Sequence, residues 1–150
     1  MKTLLVPVDF SNASGVLIER AGGLARDLGA RLVLLHVVEP VATSVPVGAS
    51  MDILTAAPPP EPVDTGVAEA RLKALAAGLS GLTVDCRAVL GIASEDILAC
   101  AGEEGADYIV MASHGHGALY HLFSGSVVTG VLKRAACPVI IVPARHPAKE

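Results

Sequence analysis

The sequence has no cluster of basic residues and no long apolar run, and each absence excludes a class of protein. Eleven Lys and Arg residues against fifteen Asp and Glu residues give a formal net charge of −4, and the basic residues are scattered along the chain. Binding to nucleic acid through its phosphates needs a basic patch or stripe, so we expect no nucleic-acid partner. Asp, Gly or Pro interrupts every apolar run well before the roughly 20 residues that span a bilayer, so we expect no insertion into a membrane.

Cysteine is also scarce, and its spacing indicates no cross-link. The chain has three cysteines, Cys86, Cys100 and Cys137, with no C-x-x-C pair among them. A disulfide framework or a structural zinc site needs paired, closely spaced cysteines, so we expect buried free thiols. Asp9 interrupts the apolar N-terminus too early for a signal peptide, and we interpret this segment as the first strand of a cytoplasmic protein.

Five short apolar runs predict the strands of a parallel sheet. Most of them are nearly continuous, which is typical of strands covered on both faces. The third run alternates between apolar and polar residues, which is typical of an edge strand. The runs cover residues 3–10, 31–38, 83–90, 108–113 and 138–143.

Helical segments separate these runs and end at residues that stop helices. The first three end at Gly29, Gly81 and Gly105, because glycine readily adopts the left-handed conformation after a helix, and Pro138 stops the fourth. Ser94 is the expected N-cap of the third helix, with two acidic residues directly behind it. The predicted helices cover residues 12–28, 66–79, 95–104 and 126–136.

The alternation of strand and helix predicts right-handed βαβ crossovers and one doubly wound α/β domain over residues 1–150. Residues 39–65 interrupt the alternation with six prolines, and we interpret them as a long connection within this domain. A domain boundary is the competing interpretation, but it would leave too little chain on the N-terminal side for a separate core.

A glycine-rich segment with three histidines, Met111–Val128, joins the fourth strand to the last helix. In open α/β sheets the ligand lies beyond the carboxyl ends of the strands, where Asp9, Val37 and Glu39 also lie. Glycine-rich backbone and a helix N-terminus, here at residues 125–126, both bind anions through their N–H groups. The sequence therefore predicts a site for a small molecule that carries phosphate.

Two common glycine motifs do not fit this segment. A Walker A loop ends in Gly-Lys-Ser/Thr, and the chain contains no Gly-Lys pair. A dinucleotide fingerprint would need Gly or Ala where Tyr120 stands, and it would follow the first strand.

The histidines raise a metal hypothesis that their spacing does not support. His114, His116 and His121 have no matching carboxylate or cysteine nearby in the sequence, as a transition-metal site would need. We expect no metal held by the protein alone, whereas Mg²⁺ or Mn²⁺ carried by bound phosphates needs few protein ligands. His36, within a buried run, is predicted to be a hydrogen-bonded histidine of the core.

The spacing of the glycine-rich segment resembles a family motif. Ala112-Ser-His-Gly115, nine residues, then Gly125-Ser126 is similar to the G-x-x-G-x9-G-[ST] pattern of the universal stress protein family, in its nucleotide-binding branch. The likeness extends over almost the whole chain, through LLVPVDFS, LLHVVE, Gly91, DYIVMASHG and GSVVTGVLKRAACPVIIV. It implies a flavodoxin-like or Rossmann-like fold with a five-stranded parallel sheet in the order 3-2-1-4-5.

The resemblance also implies a site for ATP, or for ADP or AMP, with Mg²⁺ or Mn²⁺ bound through the phosphates. Asp9 is expected near the ribose hydroxyls and the backbone of Val37 near adenine, while the glycine-rich segment and the start of the last helix hold ribose and phosphates. The implied nucleotide-binding residues are Pro7, Asp9, Val37, Met111, Ala112, Ser113, His114, Gly115, His116, Gly117, Gly125, Ser126 and Val127.

Three positions in this implied site carry alternatives. Ala112 replaces the first glycine of the motif, and its methyl costs little if its φ angle is negative but weakens binding if that angle is positive. Asp9 could instead cap the first helix, and Ser126 could cap the last helix without touching a ligand.

These features favour a cytoplasmic ATP-binding protein of stress response or signalling, acting with a protein partner that the sequence does not identify. Residues 111–126 contain no Lys or Arg, so we expect at most slow ATP hydrolysis. The alternatives are a protein-interaction module that needs no nucleotide and a nucleotidyl-transfer enzyme. The S-G-G-x-D-S loop typical of the latter is absent after the first strand, where VDFSNAS stands.

The last strand predicts a homodimer. In the implied order it lies at an edge of the sheet, and an apolar, uncharged edge tends to pair with another chain. Two copies running antiparallel across a twofold axis would bury both edges, as members of the family commonly do. The interface residues are Val139, Ile140, Ile141 and Val142.

Overall fold

The computed structural model describes residues 1–40, 63–113 and 127–143. Five parallel strands form one sheet in the order β3-β2-β1-β4-β5, which confirms the predicted fold class and strand order. The elements are β1 (Thr3–Pro7), α1 (Ser14–Leu28), β2 (Arg31–Val38), α2 (Thr65–Ala76), β3 (Val84–Leu90), α3 (Ala93–Glu103), β4 (Tyr108–Ala112), α4 (Val127–Arg134) and β5 (Val139–Val142).

The apolar runs are continuous because both faces of the sheet are covered. Leu4 and Val6 of β1 point into a core shared with α1 and α2, whereas Leu5 points into a second core under α3 and α4. All three side chains are fully buried. A strand covered in this way needs apolar residues at successive positions rather than at alternate ones.

The edge strands are more exposed than the centre. β3 lies at one edge, as its alternating sequence predicted, and its last residue, Leu90, is 51% exposed. β5 lies at the other edge. No helix among the described residues is long and apolar enough to cross a membrane.

Two of the three glycines predicted to end helices do so: Gly29 is the C-cap of α1 and Gly105 follows the C-cap of α3, whereas α2 ends at Ala76, before Gly81. Gly29, Gly81 and Gly105 all have positive φ angles, of 60°, 78° and 58°. Gly22, inside α1, has a different role, because a Cβ there would lie 2.7 Å from Cδ2 of Leu79. This glycine lets α1 approach the segment that follows α2.

Two further local predictions were wrong. β1 ends at Pro7 rather than at residue 10, because the chain turns at Phe10, which has a φ of 59°. Ser94 is not the N-cap of α3: the helix begins at Ala93 and Ile92 occupies the cap position without a side-chain cap.

Two carboxylates supply that cap, one from the first turn of α3 and one from just after the end of β2. The Asp96 Oδ2 atom accepts a hydrogen bond from the Ile92 N–H at 2.7 Å, and the Glu39 Oε1 atom accepts one from the Ala93 N–H at 3.0 Å. Gly91 makes this possible, since a Cβ at that position would overlap the Asp96 carboxylate. The negative charges also lie near the positive end of the helix dipole, which stabilises the helix.

An ion-pair network joins the amino ends of the strands to the end of α3. Glu104 accepts from Arg31 at 2.9 Å and from Arg87 at 2.7 Å, while Arg31 also donates to Asp85 and Thr3. The Arg31 hydrogen bond, followed by that of Arg87, holds the pKa of Glu104 below its ordinary value. The network ties α3 to β2 and β3.

Glu104→Gln is expected to lower the free energy of unfolding at pH 7 by roughly 1–2 kcal/mol, because a charged hydrogen-bond acceptor is lost. The lowered pKa of Glu104 means that its contribution is present above the ordinary value of 4.5 and is lost as the pH falls through the lowered pKa. Urea denaturation between pH 7 and pH 3 should therefore show that the free energy of unfolding falls less with decreasing pH in the variant than in the wild type. Glu103→Gln, which removes one exposed ion pair, is the control. Equal pH profiles for Glu104→Gln and the wild type would contradict this account.

Gly91→Ala is expected to destabilise the fold by roughly 0.5–2 kcal/mol, the usual cost of losing a helix cap, because the added methyl displaces the Asp96 carboxylate. Gly102→Ala is the matched control. It lies within α3 with open space around its Cβ position, so the same change should stabilise the helix by up to about 1 kcal/mol. Denaturant titration of both variants measures the difference, and a Gly91→Ala protein as stable as Gly102→Ala would show that the Asp96 cap is unimportant.

Candidate functional site

A cavity of about 120 Å³ opens beyond the carboxyl ends of β1, β2 and β4, between the starts of α3 and α4. This is where neighbouring strands of an open α/β sheet send their connections to opposite faces and where such sheets bind ligands. Its lining residues are Pro7, Val8, Asp9, Leu17, Leu35, His36, Val37, Ala93, Ile97, Met111, Ala112, Val127 and Val128.

The cavity collects six of the residues that the sequence predicted for the site: Pro7, Asp9, Val37, Met111, Ala112 and Val127. Another predicted residue, Ser113, follows β4, and its N–H donates to the Val142 carbonyl at 2.8 Å. The remaining predictions, His114, Gly115, His116, Gly117, Gly125 and Ser126, lie outside the described residues.

Most of the cavity wall is apolar. Leu17, Leu35, Ile97 and Val128 are buried and come from α1, β2, α3 and α4. These residues were not predicted for the site, because an apolar residue in a helix or strand gives no sign in the sequence of whether it contacts a ligand or the core. Such walls with a few polar groups at the mouth are typical of small-molecule sites.

Asp9 is the acidic residue of the cavity wall. Its Oδ1 atom accepts from the Ser11 N–H at 2.9 Å and from the Ser14 hydroxyl at 3.3 Å. Asp9 therefore shapes the corner between β1 and α1, but it is not the N-cap, which is Ala13. The side chain is exposed and faces the mouth of the cavity.

His36 is hydrogen-bonded, as predicted, but it is not a core residue. Its Nδ1 lies 2.6 Å from the Val8 carbonyl oxygen, and since a carbonyl only accepts, Nδ1 donates. The ring is half-buried, lines the cavity and packs against Phe10 at a centroid distance of 4.4 Å. The prediction failed because an apolar run does not reveal that its carboxyl end emerges at a cavity.

Ala112 sits where its methyl causes no backbone strain. It is the last residue of β4, in register with Val142 of β5, and Phe10 is the one non-glycine residue with positive φ in the described chain. Ala112, which replaces the first glycine of the motif, therefore does not have a positive φ angle. Its methyl group is expected to cost little in binding.

The start of α3 is closed to anions. Its first free N–H groups, those of Ile92 and Ala93, already donate to Asp96 and Glu39. Two carboxylates at this helix start repel a further negative group. The start of α4, at Val127, has no acidic residue in its first turn, so the electrostatics of the cavity favour an anion on the α4 side.

The three cysteines are free thiols, and burial raises the pKa of each. Cys100 is buried, as predicted, whereas Cys86 and Cys137 are half-buried. Within residues 1–40, 63–113 and 127–143, no three His, Cys, Asp or Glu side chains are grouped to hold a metal ion.

A second cavity, of about 240 Å³, lies between α1 and the end of α2. Ile18, Leu75 and Leu79 supply much of its wall, with Glu19 and Arg26 among the other lining residues. It is a groove between helices, away from the carboxyl ends of the strands. The first cavity is therefore the candidate site.

Relatives of known sequence match this chain over part or nearly all of its length. The universal stress protein in the QAH/OAS sulfhydrylase 3′ region of Thermus aquaticus is 34% identical over 148 residues, covering 94% of this chain and 98% of that protein. Universal stress protein MJ0577 of Methanocaldococcus jannaschii is 40% identical over 58 residues, or 39% of this chain and 36% of that protein. The structure of MJ0577 matches with a TM-score of 0.71 and 27% identity over 97% of this chain and 98% of that one.

Two further structures share the fold and contain nucleotides. A universal stress protein in complex with cAMP matches with a TM-score of 0.69 and 22% identity, over 96% of this chain and 98% of that one. A universal stress protein of Archaeoglobus fulgidus in complex with dAMP matches with a TM-score of 0.62 and 19% identity, over 94% and 97%. The sequence model of the universal stress protein family matches residues 1–143, and this chain therefore belongs to that family.

Proposed function

We propose that this protein binds an adenine nucleotide, ATP in the first instance, in the cavity at the carboxyl ends of β1, β2 and β4, and that it acts in the cytoplasm in stress response or signalling. The observation that supports this most strongly is that the predicted site residues lie together in space. Residues implied by the family motif from β1, β2, β4 and α4, far apart in sequence, line one cavity.

The apolar part of the cavity suits the base. Leu17, Ile97 and Val128 surround it, and the backbone of Val37 lies at its edge. An aromatic base gains from burial against such walls, and backbone N–H and C=O groups can read its polar edge. Sites for whole small molecules measure about 300–1,000 Å³, so a cavity of about 120 Å³ accommodates the base while ribose and phosphates extend outward.

The ribose is placed at Asp9. A carboxylate is a strong acceptor for hydroxyl donors, and bonds to a charged group are worth about 1.5–3 kcal/mol. Asp9 lies at the mouth of the cavity with its Oδ1 atom held by Ser11 and Ser14. A side chain held in this way loses little conformational freedom when a ligand binds.

The phosphates are directed toward α4. The start of α3 is occupied by Glu39 and Asp96, whereas the start of α4 offers a helix dipole with no acidic residue in the first turn. Gly125 and Ser126, directly before α4, are the residues we expect to donate to phosphate, and Mg²⁺ or Mn²⁺ would bind through the phosphates. ADP and AMP would use the same contacts with fewer phosphate interactions.

Bound nucleotides in relatives support the chemical class. Universal stress proteins of the same fold form complexes with cAMP and with dAMP. Both ligands are adenine nucleotides, one a cyclic monophosphate and the other a 2′-deoxy monophosphate. The adenine base is therefore the common element that we carry over to the apolar part of this cavity.

Rapid catalysis is not part of the proposal. Phosphoryl transfer needs cations near the transferred group, and the residues lining the described cavity include no Lys or Arg. The second candidate function is a nucleotide-independent interaction module.

Mg²⁺-ATP at one hundred times its Kd is expected to stabilise the protein by about 2.7 kcal/mol, because a ligand that binds only the folded state adds RT ln(1 + [L]/Kd). Asp9→Asn should reduce this gain, whereas Asp27→Asn, the same change in an exposed residue near the opposite end of α1, should not. Gly125→Val should abolish it. Thermal unfolding with and without ATP provides the measurement.

Two outcomes would count against this assignment. A wild-type protein with no thermal shift at millimolar ATP would remove the nucleotide function and favour the interaction module. A Gly125→Val protein that binds as tightly as the wild type would retain the function but show that the phosphates lie elsewhere.

We also propose that the protein dimerises through β5. The Ile109 N–H donates to the Pro138 carbonyl and the Ser113 N–H to the Val142 carbonyl, so in a parallel ladder the alternate N–H groups, those of Val139 and Ile141, point away from β4. These groups can pair with a second copy running antiparallel, and the prolines at 138 and 143 limit the pairing to the four residues between them.

Ile140→Lys combined with Ile141→Glu is expected to give a monomer, at some cost in stability, because the edge then carries charge. The double replacement of both residues by Val is the control that keeps the edge apolar. Light scattering should give about twice the chain mass of 15.2 kDa for the wild type and the control. A wild type that remains monomeric at tens of micromolar would refute dimerisation through β5.

A further inference from the structure

Phe10 has an unusual backbone conformation for an aromatic residue. Its φ angle is 59°, and no other non-glycine residue in the described chain has a positive φ. Bulky side chains avoid this region, and such outliers persist where their surroundings hold them and often lie at functional sites. Phe10 directly follows Asp9, at the mouth of the cavity.

A stack of three side chains holds Phe10. The His36 ring lies 4.4 Å from the Phe10 ring, between centroids, at an interplanar angle of 38°. Cζ of Arg71 lies 3.9 Å from the centroid of the Phe10 ring, which is within the range of a cation–π contact. His36 is itself fixed through its hydrogen bond to Val8. The stack thus connects β2, the turn after β1, and α2.

The turn at Phe10 determines where Asp9 points. The Ser11 N–H donates to Oδ1 of Asp9 at 2.9 Å, so the hydrogen-bonded ring encloses the Phe10 backbone. A change of Phe10 to negative φ would move the Ser11 N–H and release the carboxylate from its position. The stack therefore acts on Asp9 through the backbone, without itself needing to contact a ligand.

We propose that Arg71, Phe10 and His36 are positioning residues whose stack holds the Asp9 carboxylate ready for the vicinal hydroxyls of a ribose, and that this stack sets the preference for ribonucleotides. This inference rests on the proposed nucleotide function. It assigns a role to Arg71, an exposed residue of α2 that lies outside the cavity wall.

Titration calorimetry with ATP and with 2′,3′-dideoxyATP tests the proposal, because the second nucleotide lacks both hydroxyls. The wild type is expected to bind ATP at least about tenfold more tightly, as hydrogen bonds to a charged acceptor imply. Arg71→Ala should reduce this preference to less than about threefold while its affinity for dideoxyATP stays nearly constant. Arg71→Lys, which keeps the cation, should retain most of the preference.

The Phe10→Gly variant distinguishes the role of the aromatic ring from the role of the backbone conformation. Glycine adopts a positive φ without strain, so this variant should fold normally, as circular dichroism would verify, yet lose the preference because no ring holds the turn. Phe10→Tyr keeps the ring and should keep the preference.

The possible outcomes are distinct. A wild type that binds neither nucleotide removes the proposed function itself. A wild type that binds both equally leaves nucleotide binding intact and overturns the role of Asp9 and the stack. Arg71→Ala and Phe10→Gly proteins that keep the wild-type preference, or that lose affinity for both nucleotides equally, would show that the stack does not position Asp9.

Discussion

Burial of β1 on both faces is the constraint on which the rest of the structure depends. Leu4, Leu5 and Val6 have no exposed surface, and burying one such side chain stabilises a protein by about 1.5–3 kcal/mol. Because β1 is the central strand, α1 and α2 must cover one face of the sheet while α3 and α4 cover the other. The helices of the two faces are separated by the sheet, and the cavity opens beyond the end of β1.

Charge divides this cavity into two sides. On the α3 side, Glu39 and Asp96 occupy the helix start, and Gly91 is the residue that allows Asp96 to fold back. On the α4 side the first turn has no acidic residue. An elongated ligand with an apolar end and an anionic end therefore has one favourable orientation, with its apolar end among Leu17, Ile97 and Val128.

Much of the fold could be predicted from the sequence because its signals are local. Continuous apolar runs indicated strands covered on both faces, and Gly29 and Gly105 ended α1 and α3 through a property of glycine alone. Six of the seven predicted site residues that the structure describes line one cavity, since the carboxyl ends of parallel strands meet at one edge of a sheet.

The wrong predictions concern contacts between residues that are distant in sequence, or the backbone conformation of a turn. Ser94 has the chemistry of an N-cap, but Glu39, 54 residues before Ala93, reaches the helix start instead. Nothing in the sequence around Phe10 indicates a positive φ, because the residues that hold it, His36 and Arg71, lie in other elements. Such contacts can be identified only in the folded structure.

The position of the nucleotide is the central claim, and methyl NMR during titration with Mg²⁺-ATP tests it most directly. The account predicts chemical-shift changes at the methyl groups of Leu17, Ile97 and Val128, which line the cavity at the strand ends. The methyl groups of Ile18 and Leu79, in the groove between α1 and α2, should remain unchanged. Shifts confined to that groove, or no shifts at millimolar ATP, would contradict the account.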